Sequence, residues 1–198
     1  MGKLPPEPLT GSEMMRLIEA CGAGVCGKRD RAMLATMWRT GLRISEVLAL
    51  EIRDIDRSSD GWTIRVRHGK NDKHRTVAAG PDLAAFVQVW LDARAPHTSS
   101  KYVFCTMKTS QSPRGSKMAT STVRKNLAVL ADRAGIQKRV HPHGIRHTFA
   151  LELDSEGHAL RVIQQSLGHS NARTTSTYLS GLGSREVIGA LQMRRMPT

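Results

Sequence analysis

The informative side chains of this 198-residue sequence are arginines, histidines, one lysine and one tyrosine, gathered in five short runs. Thr40-Gly41-Leu42-Arg43-Ile44-Ser45-Glu46 delivers an arginine at a helix start with a carboxylate three residues later, placed to hold the Arg43 guanidinium in one orientation. An ordinary N-terminal helix arginine with an intrahelical ion pair would look the same. Lys70 lies near the tip of a basic hairpin beside Lys73, His74 and Arg75, where it could enter a DNA groove, protonate a leaving oxygen, or simply be solvated. In His141-Pro142-His143-Gly144-Ile145-Arg146-His147, the side chains of His143, Arg146 and His147 share one helical face. Leu167-Gly168-His169 and Tyr178 complete the set. Of the two tyrosines, Tyr102 sits in an apolar run and reads as core, whereas Tyr178 lies in a polar stretch that gives its ring little to pack on.

Metal binding is the first alternative to weigh. His143 and His147 have the i, i+4 spacing of zinc ligands, but Gly144 stands where a zincin carries its glutamate, and Arg146 on the same face opposes a cation. No metal site is expected, since an arginine flanked by histidines suits an anion better. Together the runs describe phosphoryl transfer. Two arginines can grip the non-bridging oxygens of a phosphodiester and stabilise a five-coordinate transition state. A tyrosine hydroxyl, with an ordinary pKa of about 10, attacks in line once cationic neighbours or a base activate it. A lysine protonates the departing oxygen.

The elements that must hold these groups can be read from periodicity. Thr10-x-x-Glu13 has the form of a capping box opening a helix that ends near Gly22, with Met14, Leu17, Ile18 and Cys21 on its apolar face. A glycine-rich turn leads to a helix from about 29 to 40, and a third starts at Arg43 and runs to Leu50. Trp62, Ile64 and Val66 alternate with Thr63, Arg65 and Arg67 as a half-buried strand, and residues 75–78 return as its partner. Helices are expected at 82–93, 122–134 and 142–155, and shorter ones at 159–167, 172–179 and 184–193, with a short strand at 102–104. The fold class is mainly α with a small antiparallel β-sheet.

Composition narrows the partner. Thirty Lys and Arg against 17 Asp and Glu give a net charge of +13, which favours a polyanion. Residues 1–99 carry a net +3 and residues 100–198 a net +10, so the second half is the better polyanion-facing surface. No run of eighteen apolar residues spans a bilayer, no membrane partner is expected, and the N-terminus lacks the apolar core of a signal peptide. Cys21, Cys26 and Cys105 form neither a metal-spaced set nor a disulfide framework, so a reduced, cytoplasmic compartment is expected.

The ordered set Thr-Gly-Leu-Arg43, Gly-Lys70, His143-x-x-Arg146, Leu-Gly-His169 and Tyr178 resembles the catalytic domain of the tyrosine recombinases, the phage integrase family. The resemblance implies a site-specific DNA recombinase that cleaves and rejoins strands through a 3′-phosphotyrosine, with neither metal, ATP nor other cofactor. It implies that Arg43 and Arg146 clamp the scissile phosphate and that His169 adds a hydrogen bond. His143 would be general base or phosphate donor, Lys70 the general acid for the 5′-oxygen, and Tyr178 the nucleophile. Glu46 and His147 would support. Lys73 is a minor rival to Lys70, because the family often has a glycine after the first hairpin lysine and this sequence has Asn71. DNA contacts are expected from Lys73, Arg75, Arg114, Lys117, Arg124 and Lys125.

Residues 1–9 read as a lead-in or linker, 10–180 as the catalytic domain, and 181–198 as a tail helix that packs on its own core or docks on a neighbouring protomer. No N-terminal core-binding domain is expected in this chain, which could be a fragment or a natural single-domain enzyme similar to the invertases of fimbrial phase variation. The expected assembly is a homo-tetramer on paired double-stranded DNA sites, with a monomer or weak oligomer when free. Two other readings share the fold: a type IB topoisomerase, which relaxes DNA as a monomer, and a non-catalytic DNA-binding regulator.

Overall fold

The computed structural model describes residues 7–58, 61–67, 75–107 and 113–168. Lys70, Lys73, His169, Tyr178 and the two last expected helices lie outside them. Helix α1 (Gly11–Glu19) opens on the expected capping box: Thr10 Oγ1 accepts from the Glu13 N–H at 3.2 Å, and Glu13 Oε2 accepts from the Thr10 N–H at 2.7 Å. Its Met14, Leu17 and Ile18 are buried. Helix α2 (Val25–Thr40) starts earlier than the sequence suggests. The reason is local: Gly27 packs so closely on the Gly22 carbonyl that a Cβ would overlap it, so this glycine belongs inside the helix rather than to the turn.

Helix α3 is shorter than expected, Ile44–Val47. Beyond it the chain is drawn into pairing with residues 101–103. Val103 N–H donates to the Leu50 carbonyl at 2.8 Å, Ile52 N–H donates to that of Lys101 at 2.8 Å, and Glu51 bridges Tyr102. That bridge is what remains of the strand expected at 102–104. After a short 3-10 turn (Ile52–Asp54), strands β1 (Ile55–Ser58), β2 (Gly61–Val66) and β3 (Arg75–Ala79) form an antiparallel sheet in the order β1-β2-β3. Strand β1 was not foreseen: Asp56, Arg57 and Ser58 are exposed, so no alternating pattern marks this edge.

Helices α4 (Pro81–Arg94), α5 (Thr120–Arg133), α6 (Pro142–Ser155) and α7 (Leu160–Leu167) follow. The main core gathers α1, α2, α4 and α5 around Trp90, Leu34, Met37, Leu83 and Leu127, all under 2 % exposed. Phe149, Ala150, Ile163 and Leu167 form a second cluster that joins α6 to α7. The N-terminal segment is pinned to the rest, with Lys138 Nζ donating to Glu13 Oε2 at 2.9 Å and Leu9 N–H to Thr148 Oγ1 at 3.0 Å. Trp38 Nε1–H on α2 donates to the Glu152 carboxylate on α6, 2.8 Å from Oε2. Among the described residues no helix is long and apolar enough to cross a membrane.

Candidate active site

The site begins where α2 stops. Gly41 ends that helix in the left-handed region at φ +60°, and a Cβ there would lie 2.2 Å from Phe149 Cδ1. Only glycine lets the turn be this tight and α6 approach this close. The turn aims the Gly41 carbonyl at α6, where Arg146 Nη1 donates to it at 2.7 Å. Arg146 Nη2 donates to the Leu167 carbonyl at the end of α7, also at 2.7 Å. The guanidinium, whose residue is 2 % exposed, thus joins three segments that sequence reading singled out separately: 40–46, 143–147 and 167–168. A guanidinium carries five N–H donors in a fixed fork, which suits it to binding the scaffold while serving an anion.

Arg43 caps the start of α3 in extended conformation, and Glu46 holds it twice. Glu46 Oε2 accepts from the Arg43 backbone N–H at 2.7 Å and Oε1 from Arg43 Nη1 at 3.1 Å. The carboxylate also takes Arg75 in a fork, Nη1 to Oε1 at 3.0 Å and Nη2 to Oε2 at 2.9 Å. Burial pushes the Glu46 carboxyl up, but the Arg75 hydrogen bonds and the Arg43 N–H outweigh it and hold its pKa below the ordinary range. Glu46 is therefore ionised at neutral pH.

Arg75 was read as a DNA contact, yet its guanidinium turns inward to Glu46 and lies against Gly168, where a Cβ would come within 2.9 Å of Nη1. The signal was present in the strand parity, since Arg75 shares the face of Val77 and Ala79, which are half-buried and buried.

On α6, His141 serves as N-cap, its Nδ1 accepting from the Gly144 N–H at 3.1 Å. Sequence reading quoted this histidine without finding that role. Its ring lies nearly parallel to that of His143, 11° between planes and 6.4 Å between centroids. Burial holds His143 below the ordinary histidine pKa, and Arg146, His141 and Arg43 push the same way. The imidazole is thus neutral at pH 7 and able to accept a proton or a hydrogen bond. His147, one turn further along α6, is buried and is likewise held low, by burial and then by His143.

Of the other expected DNA contacts, Lys117, Arg124 and Lys125 are exposed. Arg114 is exposed too and donates to the His97 carbonyl at 3.3 Å. The structure brings Arg43, Glu46, Arg75, His143, Arg146 and His147 together around the Gly41 turn.

Comparison with known proteins identifies the family and the fold. A sequence model of the phage integrase family matches residues 7–182. The chain is 32% identical over 174 residues to tyrosine recombinase XerC of Escherichia coli O6:K15:H31 (strain 536 / UPEC), covering 87% of this chain and 55% of XerC. It thus spans little more than half the length of that relative. The crystal structure of XerA recombinase superposes with a TM-score of 0.81 at 32% identity, covering 98% of this chain and 68% of XerA. The fold is also shared by XerH site-specific recombinase bound to palindromic difH substrate in a post-cleavage complex, with a TM-score of 0.77 at 24% identity over 95% of this chain and 53% of XerH. With that extent of match in sequence and fold, the chain belongs to the phage integrase family and has the fold of a tyrosine recombinase catalytic domain.

Proposed function

We propose that this chain is a DNA strand transferase that performs site-specific recombination through Tyr178. The observation that carries the reading is the Arg146 bridge, which gathers three separated motifs at one buried cation. In the proposed reaction the Tyr178 oxygen attacks the scissile phosphorus, and its proton leaves through His143, which is neutral and beside both arginines. Arg43 and Arg146 stabilise the charge that gathers on the non-bridging oxygens. The bond from phosphorus to the 5′-oxygen breaks, and Lys70 supplies the proton to that oxygen. His169 adds a hydrogen bond to the phosphate.

The product is a 3′-phosphotyrosine and a free 5′-hydroxyl. Attack by a 5′-hydroxyl from the other duplex reverses the step and restores Tyr178, so the diester bond energy is conserved without ATP or another cofactor. Exposed Lys117, Arg124 and Lys125, with Arg114 and Lys73, would contact double-stranded DNA, and affinity would fall steeply with salt as counterions are released. Residues 10–180 form the catalytic unit in this reading, residues 181–198 pack on their own core or dock on a neighbouring protomer, and four copies of this bacterial or phage-derived chain act on two paired sites in the nucleoid.

A nicked suicide duplex drawn from DNA flanking the gene tests the chemistry, with wild type and Tyr178→Phe side by side. The expected result is a covalent protein–DNA band on a denaturing gel for wild type and none for Tyr178→Phe. A band that survives the substitution overturns the mechanism. Exchange of labelled strands between two duplexes is then expected; relaxation of supercoils by monomers without exchange would assign the activity to a topoisomerase instead.

A further inference from the structure

Two arginines share one buried carboxylate at this site, and they share it unequally. The Glu46 side chain is 4% exposed and that of Arg75 15%, whereas that of Arg43 is 36% exposed. Arg75 spends both terminal nitrogens on Glu46, at 3.0 and 2.9 Å. Arg43 commits one, Nη1, at 3.1 Å, with the rest of its contact made through the backbone N–H. An ionised carboxylate offers about four acceptor sites, and here all four bonds come from these two residues. Arg75 itself is fixed from the far side by Gly168, whose φ of +63° and missing side chain leave room for the guanidinium.

Charge explains why this division matters. Two arginines and one glutamate sum to a net +1, and that positive charge sits on the more exposed member. Without Arg75, both Glu46 oxygens would lose a donor at once. The nearest guanidinium, already bonded through Nη1, would swing into a two-pronged pair with them, the preferred geometry of arginine and carboxylate. Arg43 would then be neutralised by Glu46 and turned away from any anion.

We propose that Arg75 is a positioning residue that neutralises Glu46 and so leaves the charge and outer nitrogens of Arg43 available to the scissile phosphate. The inference rests on the phosphate-clamping role proposed above for Arg43. It differs from a DNA-contact role and from a merely structural one in what removal of the carboxylate should do. If Arg75 acts by keeping Glu46 from capturing Arg43, then deleting the negative charge as well should repair part of the damage.

The test compares wild type, Arg75→Met, Glu46→Gln and the double variant in single-turnover adduct formation at saturating suicide DNA, each shown folded by its melting curve. Arg75→Met is expected to slow adduct formation about 100-fold, the scale of losing one transition-state donor. The slope of log affinity against log salt should stay at the wild-type value. The double variant should recover at least about tenfold of the loss, because a neutral amide cannot capture Arg43. A double variant as slow as Arg75→Met or slower overturns the proposal. So does a salt slope smaller by about 1 with an unchanged rate at saturation, which would mark Arg75 as a phosphate contact. Should Arg75→Met not fold, Arg75→Gln replaces it, donating one hydrogen bond without charge.

A second readout is independent of catalysis. The Arg43 Nε–H resonance in 15N NMR, assigned through Arg43→Lys, is titrated with inorganic phosphate. It should shift in wild type and the double variant and stay still in Arg75→Met; an equal shift in Arg75→Met overturns the proposal. If wild type forms no adduct, the recombinase reading fails while this titration still decides the role of Arg75.

Discussion

Replacing Arg146 by lysine should cost folding stability as well as chemistry, because this guanidinium is part of the scaffold. Its two nitrogens each donate at 2.7 Å to a buried carbonyl, one at Gly41 and one at Leu167. A charge-assisted hydrogen bond contributes about 1.5–3 kcal/mol. A lysine ammonium can reach one of the two carbonyls and cannot reproduce the fork. The other carbonyl is then buried without its donor, so Arg146→Lys should lose about 2–3 kcal/mol. Arg146→Met, which keeps neither bond but also removes the charge, should lose about 3–5 kcal/mol. Urea unfolding followed by tryptophan fluorescence measures this. With a slope of about 2 kcal/mol/M, the lysine variant should unfold at a midpoint about 1 M lower. A lysine variant with the wild-type midpoint and an unchanged slope would refute the reasoning, since it would mean that the bridge between α2, α6 and α7 does not hold the fold together.

Three further outcomes are expected. His141, His143 and His147 all have pKa values held below the ordinary 6.5, first by burial, so the unfolded chain binds more protons near that pH. Their contribution is complete above about pH 6.5 and is lost as pH falls from there through their lower folded values, visible as a lower Tm at pH 5.5 than at 7.5. His141→Asn should flatten this slope, since asparagine still caps the Gly144 N–H and does not titrate; an unchanged slope would contradict the cap. Gly41→Ala should lose about 2–4 kcal/mol in urea unfolding, from left-handed strain and from its collision with Phe149. Gly168→Ala should lose only about 1 kcal/mol, because the flexible tip of Arg75 can yield, yet it should slow adduct formation more than its stability loss explains.

Much of the site was legible in the sequence, for reasons that differ by residue. Arg43 and Glu46, three apart at a helix start, had one local geometry open to them, and the structure shows the expected pair. Helix α6 runs from Pro142 to Ser155 as expected, because proline at its first turn and an apolar face fix both its start and its register. The contacts of Arg146 were not legible. A buried arginine that binds backbone carbonyls leaves no pattern in the residues that supply those carbonyls, since every residue has one. Strand β1 was hidden because an exposed edge strand needs no apolar alternation. The Arg75–Glu46 pair was hidden because a basic residue beside a basic turn reads as surface, although its strand parity with Val77 and Ala79 points inward.

The most direct test of the central claim is the identity of the residue that carries the DNA. The adduct trapped on a nicked suicide duplex is digested with nuclease and trypsin, and the nucleotide-bearing peptide is located by tandem mass spectrometry. A 3′-phosphate remnant is expected on Tyr178, in the peptide that follows Arg173. A remnant on Tyr102, or on a serine or histidine, would contradict it.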